Sequence, residues 1–303
     1  MRINKIEGLI VPVFTPMDEN GEPVYSKIEE YAQFLKSRHT DGVFVCGSSG
    51  EGMLMSSQER KQVTESWAGH CTEDFKLIVH ISAANYKDAQ DLARHAEGCG
   101  AYAIASMGPV FLQPKTVEDL VDYCSKIASA VPGLPYYYYH IPVRTNLQFK
   151  MIDFLRKGEE RIANLAGIKY TNSNMMDMLQ CIKYQSGRFD ILHGPDEMFL
   201  SGLAVGVKGT IGTSLNFISG VFRRMIDLYN QGKMEEAADL QYFVTKVIDV
   251  ISKNGGGIVA GKAIMGLCGI ECGPCRSPLP SVSAGSLNQM KEELESINFF
   301  DHV

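Results

Sequence analysis

No stretch of eighteen apolar residues occurs in this chain, so nothing in it is expected to span a bilayer. Charge of one sign is also scarce. Charged residues make up 21% and the net charge is −6, which argues against a broad footprint for nucleic acid or an anionic membrane. The histidines at 39, 70, 80, 95, 140, 193 and 302 form no H-x-x-H or H-E-x-x-H set, so the usual nucleus of a metal site is missing. No G-x-G-x-x-G follows the first apolar run, which removes the dinucleotide fingerprint. Low-complexity linkers and short repeats are absent too. The opening segment "MRINKIEGLIVPVFTPMDENG" is interrupted by Pro12 and Pro16 and lacks a small-residue cleavage site, so it reads as a first strand and not a signal peptide.

Cysteine is present but scattered. Eight occur, and Cys46, Cys99, Cys124 and Cys181 sit inside apolar segments, as reduced core cysteines of a cytoplasmic protein do. "CGPC" at 272–275 spells a redox motif, yet it lies in a loop without the strand before it and the helix starting at its first cysteine that such a site needs. With Cys268 it lacks a fourth zinc ligand at usable spacing. "GGIVAGKA" at 256–263 satisfies G-x-x-x-x-G-K, but Ala263 replaces the hydroxyl residue and a helix precedes it.

What the chain does have is 303 residues with 45% apolar, enough for a sizeable core. Eight short apolar runs alternate with helical stretches: 8–15, 42–47, 76–82, 101–107, 134–140, 165–171, 189–194 and 209–214. Most are apolar on both faces, as strands covered by helices must be. Ser56 and Thr116 are predicted helix N-caps, each three residues before an acidic residue. The pattern predicts an α/β fold, a (β/α)8 TIM barrel over residues 1–231, with a helical extension packed on it over 232–303. An open doubly wound sheet is the second choice.

Within "LPYYYYHIP", alternation sends Tyr137 and Tyr139 to one face and Tyr136, Tyr138 and His140 to the other. Tyr139 comes last on its face, at the C-terminal end where such barrels keep their chemistry. One unit later, Lys169 stands in a run otherwise free of charge, on the face of Gly167, which is expected to leave space beneath it. A lysine buried there has a lowered pKa and an amine able to attack a carbonyl. From the strand alone, a lysine snorkelling out of the mouth or ion-paired there reads equally well. The loop "VCGSSGEG" offers backbone N–H groups and the hydroxyls of Ser48 and Ser49 to an anion, although on spacing alone an ordinary βα turn suffices. Taken together, amine, phenol and anion cradle suit a 2-oxo acid.

"GSSGEG", "YYYYHIP", "AGIKYT" and "HGPDE", in this order, resemble the N-acetylneuraminate lyase group of the pyruvate-dependent class I aldolases, the family that also contains dihydrodipicolinate synthase. The resemblance runs through the barrel and into the extension. It implies Lys169 as the Schiff-base lysine, Tyr139 as the proton shuttle, and Ser48 and Ser49 as carboxylate donors that join the tyrosine in a relay. It further implies Asp196 and Glu197 as acceptors for sugar hydroxyls, and Thr171, Gly194, Gly212 and Thr213 as other substrate contacts. Ionised carboxylates are acceptor-only, which suits a polyhydroxylated chain. The resemblance also implies a small-molecule substrate, no metal or organic cofactor, and a homotetramer with "VFLQP" at a subunit contact.

Two residues depart from the lyase pattern. Phe111 stands where many members have a tyrosine that reaches a neighbouring subunit. Arg144 matches an arginine with which dihydrodipicolinate synthases bind a second carboxylate. The sequence therefore predicts reversible cleavage of N-acetylneuraminate to pyruvate and N-acetylmannosamine, with another pyruvate-dependent aldolase or dehydratase as the alternative. A catalytically silent 2-oxo acid sensor and a thiol redox protein using Cys272 and Cys275 are the readings from other classes.

Overall fold

The computed structural model describes residues 4–303. Eight parallel strands run in it: β1 (Gly8–Val11), β2 (Gly42–Val45), β3 (Lys76–His80), β4 (Ala103–Ser106), β5 (Tyr136–His140), β6 (Leu165–Tyr170), β7 (Asp190–His193) and β8 (Gly209–Thr210). They pair in chain order, and β8 closes back on β1 through Gly209 beside Gly8 and Thr210 beside Leu9. This is the expected (β/α)8 barrel. Each strand lies inside its predicted run, and all but β5 end before it does. In β1 the reason is Pro12, which has no N–H to give the ladder.

The helices begin where their caps predict. Ser56 Oγ accepts from Glu59 N at 3.2 Å while Glu59 Oε2 accepts from Ser56 N at 2.6 Å. Thr116 and Asp119 make the same reciprocal pair at 3.1 and 3.0 Å. Such boxes satisfy donors that the first turn leaves free. Trp67 then packs edge-on to Tyr31 in the outer layer, ring centroids 5.5 Å apart.

Alternation on β5 sorts the tyrosines as predicted. Tyr137 and Tyr139 join the inner cluster with Phe44, Ile78 and Leu192, and Tyr136 and Tyr138 face the helices. Tyr138 stacks on Phe154, 4.5 Å between centroids. The expected space beneath Lys169 is corrected by the structure. A Cβ on Gly167 would overlap the Asp190 carbonyl, so glycine is required there by the backbone of β7. The β5–β6 register also shifts between Tyr136–Leu165 and Tyr137–Gly167, a bulge that takes up Ala166 and turns it inward.

The lower end of the barrel is closed by Asp190, 3% exposed. Its Oδ2 accepts from Ile6 N at 2.9 Å and from Tyr137 OH at 2.8 Å. Burial outweighs those bonds and pushes its pKa up to about 6. A raised carboxyl pKa means that the folded state holds the extra proton, so its contribution is greatest at acid pH and is lost as pH rises from about 4 through about 6. Asp190→Asn therefore becomes more stable relative to the parent by about 3 kcal/mol between pH 4 and pH 7. Thermal unfolding of both proteins across that range checks this, and parallel curves would contradict it.

Beyond residue 231 the chain forms helices Met234–Lys253, Gly256–Leu267 and Ala284–Ser296. Val247, Ile264 and Leu294 from these helices join the same core as the outer faces of the strands. Among the described residues, no helix is long and apolar enough to cross a membrane. Cys272 and Cys275 are free thiols, and burial pushes their pKa values up to about 12 and about 11, away from the activated thiolate of a redox site. "GGIVAGKA" lies within helix Gly256–Leu267, which follows another helix and not a strand.

Candidate active site

Lys169 on β6 lies in register with Tyr139 on β5, so the two side chains leave neighbouring strands toward the barrel interior. Lys169 Nζ stands 4.0 Å from the centroid of the Tyr139 ring and 4.1 Å from that of Phe44. The residue is 4% exposed, so the amine does not reach bulk solvent. Burial drives its pKa down, and Tyr139 and then Asp196 only partly oppose the shift. Those surroundings favour the neutral, nucleophilic amine.

Tyr139 is braced from below. Phe44 and His80 both meet its ring edge-on at 5.8 Å. His80 Nδ1 lies 2.9 Å from the Cys46 carbonyl, which can only accept, so that nitrogen carries the hydrogen. Burial, helped by nearby Arg60, lowers the imidazole pKa to about 3, so the ring is neutral at ordinary pH. Arg60 donates to the carbonyls of His80 at 2.6 Å and Ser82 at 2.5 Å, fixing the end of β3.

The loop after β2 brings its hydroxyls to the same place. Ser48 Oγ is 3.5 Å from Tyr139 OH, and Ser49 Oγ is 3.0 Å from Thr213 Oγ1. The amide N–H groups of Ser48 and Ser49 meet no backbone acceptor among the described residues. Thr213 is itself steadied by Asn216 Nδ2, which donates to its carbonyl at 2.8 Å.

The acidic pair divides its character. Asp196 is 5% exposed and accepts from Ser214 N at 2.7 Å through Oδ2, while its Oδ1 has no partner among the described residues. Burial first, then Glu197, push its pKa up to about 7, against the bonds from Ser214 and the pull of Lys169. Glu197 is exposed at the rim. Near neutral pH Asp196 is protonated about as often as not, and then it can donate.

Every residue predicted for the site lines one cavity of 530 Å³ except Gly212. Gly212 stands behind Asp196, and a Cβ there would overlap the Asp196 carboxyl, so the glycine makes room for that group. Arg144 also lines the cavity, exposed on the short helical turn after β5. Phe111 does not line it. It is 88% exposed in a separate apolar hollow with Leu112, Tyr86 and Met53. The sequence reading missed Ile248, Ile251 and Ile258, which wall the cavity from the C-terminal helices. Local sequence carries no signal for that contact. Phe44 and His80 were findable, since both sit on inward strand positions near the C-terminal ends of their strands.

The sequence profile of the dihydrodipicolinate synthetase family matches residues 5–297. The chain belongs to that family. Within the dihydrodipicolinate synthetase family, it is 34% identical over 299 residues to the N-acetylneuraminate lyase of Homo sapiens, covering 97% of this chain and 93% of the relative. Among solved structures it is similar to the Proteus mirabilis N-acetylneuraminate lyase, with TM-score 0.94 and 34% identity, covering 98% of this chain and 100% of the other. It is also similar to a Ruminococcus gnavus sialic acid aldolase with its catalytic lysine mutated, with TM-score 0.91 and 26% identity, covering 98% of each chain.

Proposed function

We propose that this protein is a carbon–carbon lyase of the Schiff-base type, which reversibly cleaves N-acetylneuraminate to pyruvate and N-acetylmannosamine. The observation that carries the reading is the buried amine of Lys169 against the ring of Tyr139 on the cavity floor. The relatives named as N-acetylneuraminate lyases support the choice of substrate.

Lys169 Nζ attacks the C2 ketone of the open-chain sugar acid, and loss of water leaves a protonated imine. The substrate carboxylate rests on the N–H and hydroxyl groups of Ser48 and Ser49. Tyr139 accepts the C4 hydroxyl proton as it passes its own through Ser48, 3.5 Å away, to the substrate carboxylate resting there. The C3–C4 bond breaks, its electrons move into the imine, and the aldehyde leaves as N-acetylmannosamine. Protonation of the enamine at C3 and hydrolysis of the imine then release pyruvate and the free amine. Asp196 and Glu197 face the hydroxylated chain, with Thr171, Gly194 and Thr213 as further contacts. No step calls on a metal or organic cofactor, and chelator is expected to leave activity intact.

Borohydride added with pyruvate tests the reading. A stable mass increase on the peptide holding Lys169 is expected. Its absence, as for a silent sensor or a thiol redox protein, would end the proposal.

A second reading, another pyruvate-dependent aldolase or a dehydratase such as dihydrodipicolinate synthase, rests on Arg144 at the cavity mouth. Arg144→Leu separates the two. Cleavage of N-acetylneuraminate is expected to keep its kcat/KM, whereas turnover of any 2-oxo acid with a second carboxylate falls by about tenfold or more, the worth of one charged hydrogen bond. Steady-state kinetics on a panel of 2-oxo acids checks this, and a matching loss with N-acetylneuraminate would favour direct contact with that substrate.

We also propose a homotetramer in the cytoplasm. The exposed side chains of Phe111 (88%) and Leu112 (80%) support a subunit contact, and the eight unpaired cysteines support a reducing compartment.

A further inference from the structure

We infer that Glu51 and Lys262 are a positioning pair that holds the Ser48–Ser49 loop in its substrate-binding shape and makes the C-terminal helices a working part of the site. The inference rests on reading Ser48 and Ser49 as carboxylate donors.

Lys262 Nζ stands 2.6 Å from Glu51 Oε1, with side chains 2% and 0% exposed. The same nitrogen donates to the Pro274 carbonyl at 2.7 Å. The other oxygen of Glu51 accepts from Arg276 N at 2.7 Å. Arg276 is itself tied down, donating to the carbonyls of Gly21 at 2.8 Å and Leu54 at 3.1 Å and to Glu59 at 3.0 Å. One carboxylate at the end of the loop is thus gripped by helix Gly256–Leu267 and by the segment that follows it.

The loop needs such a grip. Glu51 has φ 55° and Cys46 φ 56°, left-handed conformations that non-glycine residues keep only where the surroundings hold them. Glu51 N donates to Ser48 O and Gly52 N to Gly47 O, both at 3.1 Å, so the turn that presents the serines closes on the anchored residue. Neither Glu51 nor Lys262 lines the cavity, so both act through the serines. Two buried charges are a weak source of stability, because desolvation offsets most of their attraction. What a fully buried pair supplies here is geometry. It also accounts for Lys262, the lysine of "GGIVAGKA".

The test compares the wild-type protein with Glu51→Gln, Lys262→Met and the double variant, all at a temperature where circular dichroism shows them folded. The readouts are the pyruvate concentration for half-maximal borohydride trapping at Lys169, and kcat at saturation. The half-saturating concentration is expected to rise about tenfold as the carboxylate loses its support, and kcat to fall as well, because the same loop carries Ser48 beside Tyr139. If a single variant fails to fold, the double variant carries the test, since it buries no unpaired charge and still lacks the anchor. Half-saturation equal to wild type in the folded variants, even with lower melting temperatures, would reduce the pair to a structural contact and overturn the inference. No adduct in the wild-type protein would sink the reading of the site itself, and this inference with it.

Discussion

Lys169→Ala lowers cleavage of N-acetylneuraminate by at least about 10⁴-fold, the scale of losing a covalent nucleophile. The amine stands at 4% exposure against two aromatic faces, and no other lysine lines the cavity. The proposed binding groups, the serines and Asp196, are left in place, so the loss is expected to fall on kcat more than on KM. The alanine protein does not melt earlier than its parent, because the change removes a desolvated amine at a site that trades stability for chemistry. In the parent, trapping of pyruvate rises with pH as the amine loses its proton. The lowered pKa brings that rise to lower pH than in an exposed lysine. Steady-state kinetics, thermal unfolding and the pH dependence of trapping check the three statements. Retained activity in the alanine protein would remove the mechanism.

Tyr139→Phe lowers kcat by roughly 10²–10⁴-fold, the range for one positioned acid–base group. The ring remains, so the edge-on contacts with Phe44 and His80 at 5.8 Å persist and the fold is not disturbed. Only the hydroxyl 3.5 Å from Ser48 is lost. Pyruvate still forms a trappable imine at Lys169, while C–C cleavage slows. That split between imine formation and cleavage distinguishes a proton shuttle from a packing residue. A variant that cleaves within about tenfold of the parent would assign the proton to another group.

Much of this was legible before any coordinates. The apolar runs, the capping boxes at Ser56 and Thr116 and the two faces of β5 are local properties with period two or 3.6, and local chemistry decides them. Alternation also places Lys169 and Tyr139 at one end of the barrel, since inward positions near the C-terminal ends of barrel strands converge, but only the family resemblance singled out the serine loop.

Other features were not legible, because they depend on residues far apart in the chain. Gly167 reads as empty space in the sequence, whereas the backbone of β7 requires it. Asp196 and Glu197 are adjacent and chemically alike, yet one is buried with its pKa near 7 and the other lies in water. Ser48, Ser49 and Glu51 share one loop, but only the packed C-terminal helices bring Lys262 to Glu51. Strand positions and their inner and outer faces can be read from the chain, because short-range periodicity suffices for them, whereas the proposed roles of Lys169, Tyr139 and the serines came from the family resemblance. The burial of those groups and what holds them still come only from the packed chain, because desolvation and buried ion pairing arise only when distant segments exclude water together.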